Sequence, residues 1–192
     1  MNDPALHAAK QALRARVRAA RRAQPPALRA AETDATIAAT TAFLTRGDAH
    51  VVASYMALPD ELDLAALHRH LWNTGRPLLL PRVVGPGLLA WHVVTGPDGL
   101  VPGAYGIREP DPHHAPATEL PDTAIVLVPG VAFARDGRRL GQGGGFYDRA
   151  LAGRSVRAIG IGFTCQLVED LPHGAHDRMM DALIIAGTMP LE

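Results

Sequence analysis

The 192-residue sequence predicts an α/β fold, and three observations carry that prediction. Helical periods and short apolar strands succeed one another along the chain. Two of those strands, Thr123 to Val128 and Val156 to Phe163, are continuous apolar runs of the kind covered on both faces in a parallel sheet. The alternation breaks once, where Gly85-Pro86-Gly87 separates two strand-like runs and reads as a hairpin. A composition 47% hydrophobic and 20% charged suits a single domain, 1–192, with a substantial core.

The elements follow in order. Asp3 and Pro4 suit an N-cap and first helical residue, and Leu6, Leu13 and Val17 recur on one face to about Ala23. At about 100° per residue, Lys10, Arg14, Arg18 and Arg21 fall within roughly 80° of one another, beside the apolar stripe. Such a helix packs while its cations either overlook a cleft or face solvent. Pro25-Pro26 break the chain, and a second helix rich in Ala and Thr runs from about Ala27 to Thr45, with Gly47 as a stop. His50 to Tyr55 reads as a buried strand, followed by a helix from Leu62 to Asn73. Glu61 then stands at a strand-to-helix crossing, where it serves either the helix dipole or a site beyond the strand end. Arg76 to Val83 and Leu88 to Val94 are the hairpin strands. Thr95 to Pro121, rich in Pro and Gly, is expected to be a long surface excursion, and Ala182 to Ala186 a final strand. The pairs His113-His114 and His68/His70 read as solvated side chains rather than metal ligands.

Nineteen basic and nineteen acidic residues cancel, so no global field points to nucleic acid or to an anionic membrane. The single cysteine, Cys165, forms no intramolecular disulfide, no apolar run approaches a membrane span, and Met1 to Gln24 lacks an apolar signal core. A reducing, cytoplasmic setting is expected.

The chemistry concentrates in Arg138-Arg139-Leu140-Gly141-Gln142-Gly143-Gly144-Gly145-Phe146-Tyr147-Asp148, expected to leave a strand end at Pro129-Gly130 and enter a short helix near Phe146. Four glycines without Cβ atoms let backbone N–H groups converge on an anion, and the loop reads as a phosphate cradle. A turn that merely joins strand to helix is the competing reading. Arginines at the entrance and a carboxylate at the exit favour Mg-nucleotide chemistry. No Gly-Lys-Ser/Thr closes the loop, which excludes a Walker A element. Asp177 and Asp181, ahead of the last strand, either approach a metal at Asp148 or pair on the surface.

Taken in order, Lys10-x-x-Leu13-Arg14, Tyr55 through Pro59-Asp60-Glu61, Leu80-Pro81-Arg82, Gly106-Ile107-Arg108-Glu109-Pro110, Val128 to Phe133, the glycine loop and His176-Asp177 resemble the 5-formyltetrahydrofolate cyclo-ligase (5,10-methenyltetrahydrofolate synthetase) family over nearly the full length. The resemblance implies a central, mostly parallel sheet flanked by helices, ATP and Mg2+, and 5-formyltetrahydrofolate as substrate, polyglutamylated or not, in a monomer that binds neither nucleic acid nor membrane. It implies phosphate contacts and catalytic roles for Lys10, Arg14 and Arg139, with nucleotide contacts along Leu140, Gly141, Gln142, Gly143, Gly144, Gly145, Phe146 and Tyr147. Met56, Glu61 and Tyr147 fall on the folate side, Tyr147 near the reacting end, and Asp148 and Asp177 hold the metal. Gln142, Phe146, Leu64 and Ile185-Ala186 depart from the family pattern. The competing readings are a relative that binds folate or nucleotide without catalysis, and a nucleic-acid module built on the basic first helix.

Overall fold

A computed structural model describes residues 3–46, 51–174 and 177–191. Helices α1 (Pro4–Ala23) and α2 (Pro26–Arg46) lead to strand β1 (Val52–Ala53) and helix α3 (Ala65–Asn73). Strands β2 (Leu78–Gly85) and β3 (Leu88–Val94) form the hairpin, followed by β4 (Leu100–Pro102), β5 (Arg108–Pro110) and β6 (Ala117–Thr118). The second half holds β7 (Ile125–Pro129), β8 (Ala132–Ala134), β9 (Arg139–Leu140), α4 (Phe146–Ala150), β10 (Arg157–Gly162), β11 (Leu167–Val168), β12 (Ala182–Ile185) and β13 (Thr188–Leu191).

The main sheet runs β13-β12-β10-β7-β1-β2-β3-β6. Its five inner strands, β12, β10, β7, β1 and β2, are parallel, and the antiparallel strands lie at its two ends. This is the mostly parallel α/β sheet with an added hairpin that the sequence predicts. From β1 the chain builds outward through β2 on one side, then returns to place β7 on the other. The order therefore reverses between β1 and β7, and open α/β sheets place ligands beyond the strand ends at such a reversal.

Two apolar layers cover the sheet. Leu62, Leu64, Leu67 and Leu71 pack with Leu127, Ile159 and Ile184 on one face, and Leu79, Val126, Phe133 and Leu183 pack on the other. A third cluster fixes α1. Its Leu13 and Val17 bury against Ala132 and Leu140 of a small sheet, β11-β8-β9, and against the adjoining Val131 and Leu171. The helix bearing the cations is thus bolted to the sheet from which the glycine loop emerges. Asp3 caps α1, its side chain accepting from the Ala5 N–H at 2.9 Å.

Several expectations need correction. The third helix starts at Ala65, not Leu62, because Leu62 and Leu64 are driven into the core at 2% and 0% exposure. Burying each stabilises by about 1.5–3 kcal/mol, more than three extra helical residues supply. Glu61 consequently lies in a turn, its N–H donating to the Leu58 carbonyl at 2.8 Å, and not in a first helical turn. The first strand shortens to Val52–Ala53, with His50 and the Gly47 stop outside the described residues. The 95–121 segment is not a bare excursion: β4 pairs with β5, β6 joins the sheet edge, and Glu109 and Asp111 are buried. The glycine loop leaves β9 rather than the end of β7, since β8 and β9 intervene. His68 is not solvated. It is buried, its Nε2 lies 2.8 Å from Ser54 Oγ, and burial pulls its pKa down to about 4. Strand β13 had no sequence expectation.

Candidate active site

A cavity of about 980 Å³ opens beyond the carboxyl ends of β1 and β7, at the reversal of strand order. Residues from distant parts of the chain line it: α1, the segment after β1, the β2–β3 hairpin, the segment between β4 and β5, the end of β7, the glycine loop with α4, and the turn before β12. Lys10, Arg14, Met56, Glu61, Arg139, Leu140, Gly141, Gln142, Gly143, Gly144, Gly145, Phe146, Tyr147, Asp148 and Asp177 all face this one space. Residues up to 167 positions apart in sequence are thereby gathered around a single space.

Along α1, Lys10, Arg14 and Arg18 project into the cavity at successive turns. Arg21, on the same stripe, does not: it is buried and pairs with Asp60 at 3.1 Å. Lys10 forms an ion pair with Asp177, which also accepts from the Gly174 N–H at 2.7 Å. Burial opposes ionisation of Asp177, but hydrogen bonds from Lys10 and Gly174 outweigh it and hold the carboxyl below the usual carboxylate range. Arg14 and Arg18 form no ion pair among the described residues. Arg14 Nε donates to the Gly141 carbonyl at 2.9 Å, and Arg18 donates to Gln142. Burial first, and the Arg18 charge second, hold the Arg14 guanidinium below its ordinary pKa. A bound anion would relieve that stress.

The loop itself is a backbone-lined concavity. Gly143 and Gly145 adopt φ of 107° and 65°, a region L side chains rarely enter, so glycine is required there. At its root, buried Arg139 pairs with Asp148 at 2.6 Å, donates to the Pro129 carbonyl, and lies over the Tyr147 ring. Asp148 also accepts from the Arg178 N–H at 3.3 Å. At its far side, Arg149 donates to the Gly144 carbonyl and to the Gly87 carbonyl of the β2–β3 turn.

On the opposite wall Glu61 accepts the Leu58 N–H on one oxygen and the Gln142 side-chain amide on the other, at 3.1 and 2.9 Å. Met56 lies beside it, and Tyr55 is committed to the core, donating to the Leu62 carbonyl. Tyr147 packs edge-on to Trp91, and its buried hydroxyl has no hydrogen-bond partner among the described residues. Burial, and then the Glu61 charge, push that phenol far above its ordinary range, so it stays a proton donor.

The chain belongs to the 5-formyltetrahydrofolate cyclo-ligase family. The family model matches residues 6–186. A 5-formyltetrahydrofolate cyclo-ligase of Mycolicibacterium smegmatis is 33% identical over 178 residues, covering 89% of this chain and 90% of that one. The Escherichia coli K12 protein of the same name is 34% identical over 142 residues, 71% and 78% of the two chains. The solved 5,10-methenyltetrahydrofolate synthetase of Aquifex aeolicus superposes with a TM-score of 0.82 at 30% identity, covering 94% and 91%. That of Mycoplasma pneumoniae, 23% identical with a TM-score of 0.68, shares the fold. The chain is therefore a cyclo-ligase-family enzyme, and no helix among its described residues is long and apolar enough to cross a membrane.

Within that family frame, the remaining positions fall into two groups. Asp181, the weakest metal candidate, accepts from the Ala158 N–H and from Arg178 and is structural. His176 lies outside the described residues. Sequence reasoning named Arg18 only within the cation stripe and missed Tyr105 and Glu109 as cavity-lining residues. Arg18 was legible as the next turn of the cation stripe. Glu109 was legible only within its sequence block, because its burial against the Val83 N–H depends on β4 and β5 folding back.

Proposed function

We propose that this chain converts 5-formyltetrahydrofolate to 5,10-methenyltetrahydrofolate with consumption of ATP and Mg2+, releasing ADP and phosphate. The observation that supports this most is one cavity in which a glycine-lined loop and the Arg14 and Arg18 guanidiniums, with no ion-pair partner among the described residues, face the Glu61 carboxylate and the Tyr147 phenol, whose hydroxyl has no hydrogen-bond partner there. The two ends suit an anionic co-substrate and a polar heterocycle respectively.

The residues fit a nucleotide held by cations and loop amides. Lys10, Arg14 and Arg139 would hold the phosphates, and the amides from Gly141 to Gly145 would wrap them. They also fit magnesium carried in with the nucleotide. Among the described residues no group of three metal-ligating side chains exists, and Mg2+ commonly takes one or two carboxylates plus phosphate oxygens and water. Asp148 and Asp177 would supply those carboxylates, each giving up its present cation, Arg139 and Lys10, to the phosphates. Bound magnesium would neutralise charge on the transferring phosphoryl group.

The formyl carbon is a poor electrophile, because N5 donates into the carbonyl and places electron density on the formyl oxygen. Attack of that oxygen on the γ-phosphorus, with ADP leaving, turns it into a phosphate leaving group. N10 then bonds to the formyl carbon, loses its proton, and the C–O bond breaks to release phosphate. Glu61 would accept N–H groups of the pterin, Met56 would pack on its face, and the Tyr147 hydroxyl would donate near the formyl oxygen. The protein's part is chiefly alignment, which turns a weak amine into an intramolecular nucleophile, together with charge neutralisation. A reducing cytoplasmic location and action as a monomer belong to the same proposal.

The test is absorbance of the methenyl product with purified protein, 5-formyltetrahydrofolate and Mg-ATP. Product growth that requires ATP and collapses in Lys10→Ala is expected. Calorimetric nucleotide binding without any product would instead indicate a binding relative and overturn the proposal.

A further inference from the structure

Gln142 makes a bridge that no phosphate-cradling role calls for. Its side-chain oxygen accepts from Arg18 of α1, its backbone carbonyl accepts from the same guanidinium at 3.4 Å, and its side-chain nitrogen donates to Glu61 at 2.9 Å. Chemistry fixes the orientation of the amide, since guanidinium only donates and an ionised carboxylate only accepts. The bridge spans the cavity from the phosphate end to the heterocycle end. It also occupies two groups that face the cavity: the Glu61 oxygen not taken by the Leu58 N–H, and the guanidinium of Arg18.

Resting on the substrate reading above, we propose that Gln142 is a positioning residue that couples the two halves of the site. In the free enzyme its carboxamide stands in for both ligands, presenting an N–H to Glu61 as a heterocycle would and an oxygen to Arg18 as a phosphate would. Each ligand must break part of this bridge to bind. A heterocycle that takes Glu61 unfastens the amide and frees Arg18 for an anion; an anion that takes Arg18 unfastens it from the other end. Whichever arrives first opens the bridge, and the second meets groups already released. Folate and nucleotide therefore bind with positive, reciprocal coupling.

Gln142 is exposed and belongs to none of the buried clusters, so shortening it is expected to leave the fold intact, a point checked by the thermal unfolding of each variant. The experiment is calorimetric titration of a non-hydrolysable ATP analogue with Mg2+, with and without saturating 5-formyltetrahydrofolate, in wild type, Gln142→Ala and Gln142→Asn, the last too short to span. Wild type is expected to bind the analogue about five- to tenfold more tightly when folate is present, within the usual range of coupling. Both variants are expected to bind each ligand alone more tightly than wild type, with the coupling reduced to within about twofold of unity. A wild type that binds both ligands with coupling unchanged in the variants overturns the bridge while leaving the substrate reading standing. A wild type that binds neither ligand overturns both.

Discussion

Tyr147→Phe separates what the active site costs from what it does. The substitution removes one oxygen and keeps the ring, so the edge contact with Trp91 at 6.4 Å and the Arg139 guanidinium at 5.9 Å both survive. The deleted hydroxyl is buried and has no partner among the described residues. An unpaired buried hydroxyl costs about 1–3 kcal/mol of desolvation, and its removal leaves only a small void. The ligand-free protein should therefore gain about 1 kcal/mol, seen as a Tm higher by about 2–4 °C for a chain of this size. Turnover should move the other way. If the phenol donates to an oxygen carrying charge in the transition state, its loss costs about 1.5–3 kcal/mol, or roughly 10- to 100-fold in kcat/KM. Thermal unfolding of the ligand-free variant and initial rates of methenyl formation give the two numbers. A variant that melts several degrees lower would show that the hydroxyl is satisfied within the fold. One that is more stable with an unaltered rate would remove Tyr147 from the chemistry.

Other perturbations address different parts of the site. Asp148→Asn leaves buried Arg139 without its ion-pair partner, so ligand-free stability should fall by about 2–4 kcal/mol, and the Mg2+ concentration for half-maximal rate should rise about tenfold; an unchanged Mg2+ titration would free Asp148 of a metal role. Gly143→Ala forces a side chain into φ of 107° at about 1–3 kcal/mol. Its added Cβ would lie 3.6 Å from Arg14, an ordinary contact, so the cost is backbone strain and should raise the KM for ATP more than it lowers kcat. His68 has its pKa lowered by burial to about 4, against about 6.5 unfolded. Between those values the unfolded chain binds the extra proton, so its contribution is complete above about pH 6.5 and is lost as pH falls toward 4. Denaturant titrations should show wild type losing up to roughly 3 kcal/mol over that window relative to His68→Gln; parallel pH profiles would contradict the burial argument.

The sequence made the sheet legible where burial was total, as in the run from Thr123 to Val128 that becomes β7, and at the hairpin, where Leu88 to Val94 matches β3 residue for residue. It failed where one long-range contact decides a local choice. Helical period counted from Leu62, but Leu62 and Leu64 answer to the sheet and not to the helix. Strands β8, of three residues, and β9, of two, carry too few residues for any period, and both pack beneath α1. The glycines, cations and carboxylates that line the cavity were legible because each is a short-range signal in the sequence. Helical spacing gives no sign of the partner of His68, Ser54, which lies just beyond β1 rather than on α3.

The Arg149 clasp has a consequence for how this protein tolerates change. Its guanidinium grips the Gly87 carbonyl at 2.9 Å and the Gly144 carbonyl together, and a Cβ placed on Gly87 would fall 1.4 Å from the Arg149 side chain. The tip of a surface hairpin is ordinarily the first place to insert an affinity tag, a reporter or a permuted terminus. Here the length of that tip sets the height of the loop across from it. A residue inserted between Gly85 and Leu88 would move the Gly87 carbonyl that Arg149 holds, and a side chain at Gly87 would push the Arg149 guanidinium away from the Gly144 carbonyl. Chain fusions belong elsewhere, and natural or engineered variation in this turn should be read as a change to the enzyme's interior.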